Sequence, residues 1–281
     1  GSITRPSSYC GVWGFKPSFG LIPRTGVLKT TDTLDTIGFI TSHALNLRPL
    51  LDVLRVRGPD YPYVYKHMDC ENIGRVNAEK DFKIGYVHTH TWDTAQFYVK
   101  KAFNDFLNVV RESGFCSLEK VSLPPITMQS HSVHQKIYVK SLGYYFAQEA
   151  KSQEKISEVM KEMIGLGEAV SIKEFQAALR QQIKIATEIN EAFSQYDVII
   201  SLSTAHSAPL RHNEECDDPS LMWTLSHLPS LNIPAFRCPS GLPFGIQVTS
   251  KKYNDYRIID FVERLVSKNF ISSHSLEVIG G

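Results

Sequence analysis

The first twenty residues, running from Gly1-Ser2-Ile3-Thr4-Arg5-Pro6 through Cys10-Gly11 to Lys16-Pro17-Ser18-Phe19-Gly20, constrain this chain more than any other stretch. Glycines at positions 1, 11, 14 and 20 fall where a chain needs positive φ or close backbone approach. Pro6 and Pro17 fix φ and bias Arg5 and Lys16 toward extended backbone. Val12, Trp13 and Phe15 would anchor such a loop-rich segment to a core. So many constraints in one place predict a segment whose task depends on where its main chain sits.

Four further stretches carry equally specific spacing: Thr33-Leu34-Asp35-Thr36-Ile37-Gly38, Lys83-Ile84-Gly85-Tyr86, Tyr196-Asp197-Val198-Ile199-Ile200, and Gly241-Leu242-Pro243-Phe244-Gly245-Ile246-Gln247-Val248. Together with the first segment they resemble the amidase signature family. Its members read Gly-Gly-Ser-Ile-Arg-x-Pro-Ala-x-x-Cys-Gly-x-x-Gly-Leu-Lys-Pro-Thr-x-Gly in the corresponding motif. The match runs through Gly1-Ser2, Cys10-Gly11, Gly14 and Lys16-Pro17, with the arginine one place later, at Arg5. Gly1-Ser2 is also the dipeptide that tag removal leaves behind, but its register to Cys10 fits the motif. Two departures stand out: Leu202 replaces a usual proline, and Ser226-His227 replaces a small residue followed by glycine.

The resemblance implies an α/β hydrolase that cleaves carboxamides with a Ser–cis-Ser–Lys triad through an acyl-enzyme. Ser2 falls on the nucleophile. The family's lysine and bridging serine lie upstream of the nucleophile, so the resemblance predicts that they come from a segment preceding residue 1, or from a second chain. A serine hydroxyl needs a base to become nucleophilic, and the chain by itself is expected to be inactive. Residues 1–281 then read as the C-terminal part of a single amidase domain. Thr204 and His206, just after the strand at Tyr196, are candidate substrate-binding residues. The implied partner is a small-molecule amide, with self-association possible, and no cofactor is implied. The alternative is a non-catalytic, amidase-like binding or assembly subunit.

Composition limits the other options. With 281 residues, 42% of them hydrophobic and 21% charged, the chain can bury a substantial core. A formal net charge of +1 gives no reason to expect nucleic acid or an anionic membrane as partner. Five scattered cysteines (Cys10, Cys70, Cys116, Cys216 and Cys238) without metal or disulfide spacing favour a reducing cytoplasm. His88 and His90 alternate along a strand, and His131 and His134 share a helix face, but neither pair has a third ligand at a suitable interval. They read as surface or hydrogen-bonded histidines, and no metal site is expected.

Periodicity supplies the remaining elements. Residues 21–42 read as short strands and turns, and Asp35 as a turn aspartate bonding nearby N–H groups. Leu47, Leu50, Leu51 and Leu54 predict a helix capped by Ser42 and ended by Gly58-Pro59. The tyrosine-rich stretch 58–80 reads as a surface loop. A strand at 82–88 leads into a helix over 93–113 with Phe97, Phe103 and Phe106 on its inner face, capped by Gly114 and followed by a strand over 115–121. Long helices follow over 128–163 and 171–193, broken by Gly165 and Gly167, and Ser171 with Glu174 forms a capping box. Phe175, Ala178, Leu179, Ile183, Ala186 and Ile189 make the apolar stripe of the second. A hairpin through 237–241 and a helix over 255–268 close the chain. This order predicts an α/β fold: a mixed central β-sheet covered by helices on both faces.

Overall fold

Over residues 230–234 and 243–249 of the C-terminal hairpin, apolar residues alternate with small or amide-bearing ones, yet both sets are buried. In β6 (Ser230–Arg237) and β7 (Pro243–Thr249), Leu231, Ile233, Phe244, Ile246 and Val248 join the aromatic core. Asn232, Gln247 and Thr249 alternate with them and are equally inaccessible. Since successive side chains in a strand face opposite ways, both faces of this hairpin must be covered.

A computed structural model describes residues 1–69, 81–211 and 218–276 and shows what covers them. The strands are β1 (Trp13–Lys16), β2 (Phe39–Thr41), β3 (Phe82–Tyr86), β4 (Cys116–Lys120), β5 (Val198–Leu202), β6 and β7. Their order across the sheet is β2-β1-β6-β7-β5-β3-β4. Neighbours are antiparallel from β2 to β5, while β3 runs parallel to both β5 and β4. Nine helices are described: α1 (Thr4–Cys10), α2 (Leu47–Leu54), α3 (Pro62–Val64), α4 (Phe97–Glu112), α5 (Ser130–Tyr145), α6 (Glu158–Ala169), α7 (Ile172–Ala192), α8 (Leu221–Leu225) and α9 (Asp255–Ser267). On one face α4 and α9 pack against Ile84, Val198, Ile200 and the apolar side of the hairpin. On the other, α5, α7 and α8 enclose Val87 and Ile199. The expected mixed sheet with helices on both faces is the observed architecture.

The most regular periodicities hold. In α9, Ile258, Ile259, Phe261, Val262 and Leu265 are all inaccessible, each contributing roughly 1.5–3 kcal/mol by burial. The capping box of α7 forms: Glu174 N donates to Ser171 Oγ at 3.2 Å, and Ser171 N to Glu174 Oε2 at 2.9 Å.

Other expectations are corrected. Residues 21–42 contain only the strand β2, and the rest is irregular backbone. Ser42 caps nothing; His43 Nδ1 accepts from Leu45 N at the 3₁₀ turn preceding α2, which ends at Leu54, before Gly58. The helix α4 starts at Phe97, which is 80% exposed because it occupies the first turn outside the packed face. The stripe of α7 is rotated: Gln182 and Ile185 are buried, whereas Ile183 is 68% exposed. The tyrosine-rich stretch is not simply a surface loop: residues 62–69 are helical and bury Val64 and Met68 in the core while Tyr61, Tyr63 and Tyr65 stay exposed, and residues 70–80 lie outside those described.

Gly165 and Gly167 do not break a helix; they lie inside α6, and the interruption falls earlier, between Tyr145 and Glu158. A Cβ on Gly167 would stand 2.1 Å from Val139 O in α5. The glycine is there so that two helices can cross backbone to backbone. Gly167→Val should therefore prise α5 from α6 and cost about 1–3 kcal/mol in a urea melt. Gly165→Ala, which meets no atom within 4 Å, should be neutral or stabilising. Equal effects of the two would refute this account.

Candidate active site

The opening segment is helical where extended backbone was expected. Arg5 and Pro6 lie in the first turn of α1, where the N–H that proline lacks has no intrahelical acceptor. Gly11 ends the helix at φ 66°, in the left-handed region. Gly14 lets α1 lie directly over β1, since a Cβ there would be 2.0 Å from Ser7 Oγ.

The helix rests on the polar side of the hairpin. Thr4 Oγ1 donates to Ser220 Oγ at 3.0 Å, and Ser220 Oγ donates to Gln247 Oε1 at 2.9 Å. Gln247 Nε2 continues to Ser201 Oγ at 3.3 Å. Ser8 Oγ accepts from Gly245 N at 2.8 Å and lies 3.0 Å from Thr204 Oγ1. Asn232 Nδ2 donates to Val12 O at 2.9 Å, just past the helix. Ser7 Oγ donates to Ile3 O at 2.7 Å. The hydroxyls of Ser7 and Ser8 are thus buried and committed. Ser2, in the turn just before the same helix, is exposed and makes no hydrogen bond to a described residue.

Ser2 borders a cleft of about 530 Å³. One wall is the irregular segment after β1, including Arg24, Leu28, Leu34 and Ile37. Asp35 holds this segment together: it accepts from Thr30 N at 2.8 Å, Thr31 N at 3.1 Å and both threonine hydroxyls, and it pairs with Arg24 at 3.6 Å. That is the turn-aspartate reading. The opposite wall is His134 and Tyr138 from α5, with Asp218, Leu221 and Thr224 at α8. Arg5 meets Asp218 at 3.5 Å.

Two residues named from the sequence, Lys16 and His134, turn out to line the cleft, a place that their spacing does not reveal. Lys16, at the end of β1, is buried; its amine donates to Pro17 O at 3.2 Å and to Leu228 O. Burial pushes its pKa down to about 7, with Asp255 opposing and Lys252 adding. His134 is pushed down to about 4, chiefly by burial. Its ring stacks on Tyr138 at 5.9 Å, so the histidine read as a surface or hydrogen-bonded group lines the cleft instead. The signal available was its spacing from Tyr138, one helical turn along α5.

The two other candidate residues meet α1 at its far end. Thr204 is buried against Ser8, and His206 stacks on Tyr9 with ring centroids 6.0 Å apart. Neither is among the residues lining the cleft at Ser2. His88 stacks on Trp92 at 3.6 Å, and His90 meets His131 at 4.1 Å. Among the described residues no three His, Cys, Asp or Glu side chains converge as a metal site requires. No described helix is long and apolar enough to cross a membrane.

A mixed sheet whose buried polar face seats a short helix, preceded by an exposed serine that bonds no described residue, defines a class of α/β protein built around this motif. The family model described as Amidase matches residues 1–259, and the chain belongs to the amidase signature family. It is 25% identical to the A subunit of glutamyl-tRNA(Gln) amidotransferase from Treponema denticola, over 96% of this chain and 63% of that protein. It is 28% identical to the protein of the same name from Natranaerobius thermophilus, over 94% of this chain and 60% of the relative. The chain thus spans about three fifths of the length of these relatives. Among solved structures, an amidase superposes with a TM-score of 0.81 at 20% identity, over 95% of this chain and 61% of its own. The corresponding amidotransferase protein of Thermotoga maritima does so with 0.72 at 22%, over 96% and 60%. These superpositions establish the fold.

Proposed function

We propose that this chain carries the nucleophile of an amidase, and that Ser2 forms the acyl-enzyme when a carboxamide C–N bond is cleaved. The carrying observation is the contrast within one segment: in α1 Ser7 and Ser8 have their hydroxyls buried in hydrogen bonds, while Ser2, in the turn two residues before the helix, borders the cleft with no hydrogen bond to a described residue. The hydroxyl attacks the amide carbon, the amine leaves with a proton, and water then releases the acid. The proton acceptor on this reading is a lysine, relayed by a bridging serine, supplied from outside residues 1–281 or by a second chain. Residues 1–281 alone then hold Ser2 without its base. For Thr204 and His206, the contacts support a part at the C-terminal turn of α1, which they hold in place.

A fluorophosphonate probe should label Ser2 in the active protein, leaving Ser7 and Ser8 unmodified in the same peptide by mass spectrometry. Label on another serine, or full amide hydrolysis by Ser2→Ala, would refute the assignment. The second reading is an amidase-like subunit with no turnover of its own. It is favoured by the absence of any hydrogen-bonded base on Ser2 among the described residues, and by the relatives' names, which are those of subunits. Exposed Val27 and Leu28 at the mouth of the cleft fit cover by a further segment or chain.

A further inference from the structure

A second cavity, of about 740 Å³, lies on the other side of the wall that borders the Ser2 cleft. The two share the segment after β1: Thr33 lines this cavity, whereas Leu34 and Asp35 line the cleft. Helix α7 contributes Leu179, Gln182, Ile183 and Ala186, and His227 and Lys252 come from the loops at either end of the hairpin.

His227 replaces the glycine of the motif, yet its backbone keeps a left-handed φ of 65°. Its Nε2–H donates to Thr33 O at 2.7 Å, and the ring stacks on Phe19 with centroids 4.2 Å apart. Burial holds its pKa at about 4, so it brings no charge near pH 7. Gln182, only 3% exposed, donates its amide protons to Thr33 O at 3.2 Å and Leu225 O at 3.1 Å. Its Oε1 has no donor among the described residues.

Lys252 is the cation of this cavity. Its backbone N–H donates to Asn190 Oδ1 at 3.2 Å, and its ammonium lies 6.0 Å from the ring centroid of Phe19 and 5.1 Å from that of Tyr253. The ammonium makes no ion pair or hydrogen bond to a described residue. Glu191, the one carboxylate among the lining residues, is exposed and forms no ion pair with it. Burial pushes the pKa of Lys252 down, and its charge in turn depresses those of Lys16 and His227. A half-buried ammonium without a counter-ion gains a charge-assisted hydrogen bond from any anion that reaches it. The apolar side chains beside it favour a ligand with hydrocarbon to bury.

We propose that this cavity is a second ligand site, taking a small monocarboxylate with an apolar body: the carboxylate meets Lys252, and the body packs on Leu179, Ile183 and Ala186. A neutral ligand leaves the ammonium unmatched, and a cation meets like charge. The site is independent of the role assigned to Ser2.

The probe is 4-phenylbutyrate, titrated into the full-length protein by calorimetry. It should bind, more weakly as NaCl is raised, and 4-phenylbutan-1-ol should bind about tenfold more weakly. Lys252→Gln should weaken the carboxylate by about tenfold. Ile183→Asp, at a position 68% exposed and so tolerant in folding, should do the same by setting a like charge on the apolar wall. Tyr138→Ala, in the Ser2 cleft, should leave the affinity unchanged. No binding, equal binding of the alcohol, or unaltered affinity in both Lys252→Gln and Ile183→Asp would each overturn the proposal. Weakening by Tyr138→Ala with Ile183→Asp unaffected would put the carboxylate in the Ser2 cleft and overturn it as well.

Discussion

Gln247→Leu should lower the unfolding free energy by about 2–4 kcal/mol, because it strands hydroxyls that have no water to turn to. The side chain is inaccessible, accepts from Ser220 and donates to Ser201. Leucine fills a similar volume, so the cavity term is small and the loss reports the hydrogen bonds. Ser220 also accepts from Thr4, two residues after Ser2, so the damage reaches the first turn of α1. The rate of fluorophosphonate labelling at Ser2 should therefore fall along with stability. A urea melt showing a loss below about 0.5 kcal/mol, with labelling unchanged, would remove the network from the account.

Acidification is expected to destabilise the protein between pH 6.5 and 4 through two histidines. His134 and His227 both titrate at about 4 in the folded chain, burial being the main cause in each, against about 6.5 when unfolded. In that window the unfolded chain binds more protons, so stability rises with pH. It is fully present above pH 6.5 and lost as pH falls toward 4. Each group should contribute roughly 1–2 kcal/mol of loss at pH 5, allowing for partial solvent contact. Lys16, titrating at about 7 when folded, is protonated in both states across most of this range and adds little slope there. The comparison that isolates the effect is the wild type against a His134→Asn, His227→Asn double variant, melted at pH 7 and pH 5. Identical losses in the two proteins would show that these histidines are not responsible.

The sequence disclosed those features that depend on regular spacing. The sheet-and-helix order, α9 with all its inward residues, the α7 capping box and the role of Asp35 each rest on local chemistry repeated at a fixed interval. What it concealed depends on partners far along the chain. Nothing around Lys16 announces that its amine ends beside Leu228, or that His134 would line a wall with residues from α8. Gly167 looked like a helix breaker because a glycine needed for close packing and one needed for a turn are the same residue. In the stripe of α7, periodicity favours Ile183 over Gln182, since burial of an amide is sensible only once its acceptors, Thr33 O and Leu225 O, are known. Pro6 and Arg5 misled in the other direction: a proline bias toward extended backbone yields when the proline sits in a first turn. One clue was readable. Alternating polar residues in both β6 and β7, flanked by sequence that leaves neither strand at the sheet's edge, already implied that something polar must sit on that face.

That alternation also disciplines assembly. A hairpin with one face in water can slip its pairing by two residues at modest expense, and only the dry side objects to a slip of one. Here both sides are dry. A slip of one would push Asn232 or Gln247 among the aromatic rings while leaving Ile233 or Ile246 facing hydroxyls, so an error is punished twice over. A slip of two would separate Gly245 from the serine that receives its N–H. The strand pairing thus checks its own alignment, and α1 inherits the result. The location of the Ser2 hydroxyl is decided when two strands far away in sequence zip together, long before any substrate arrives.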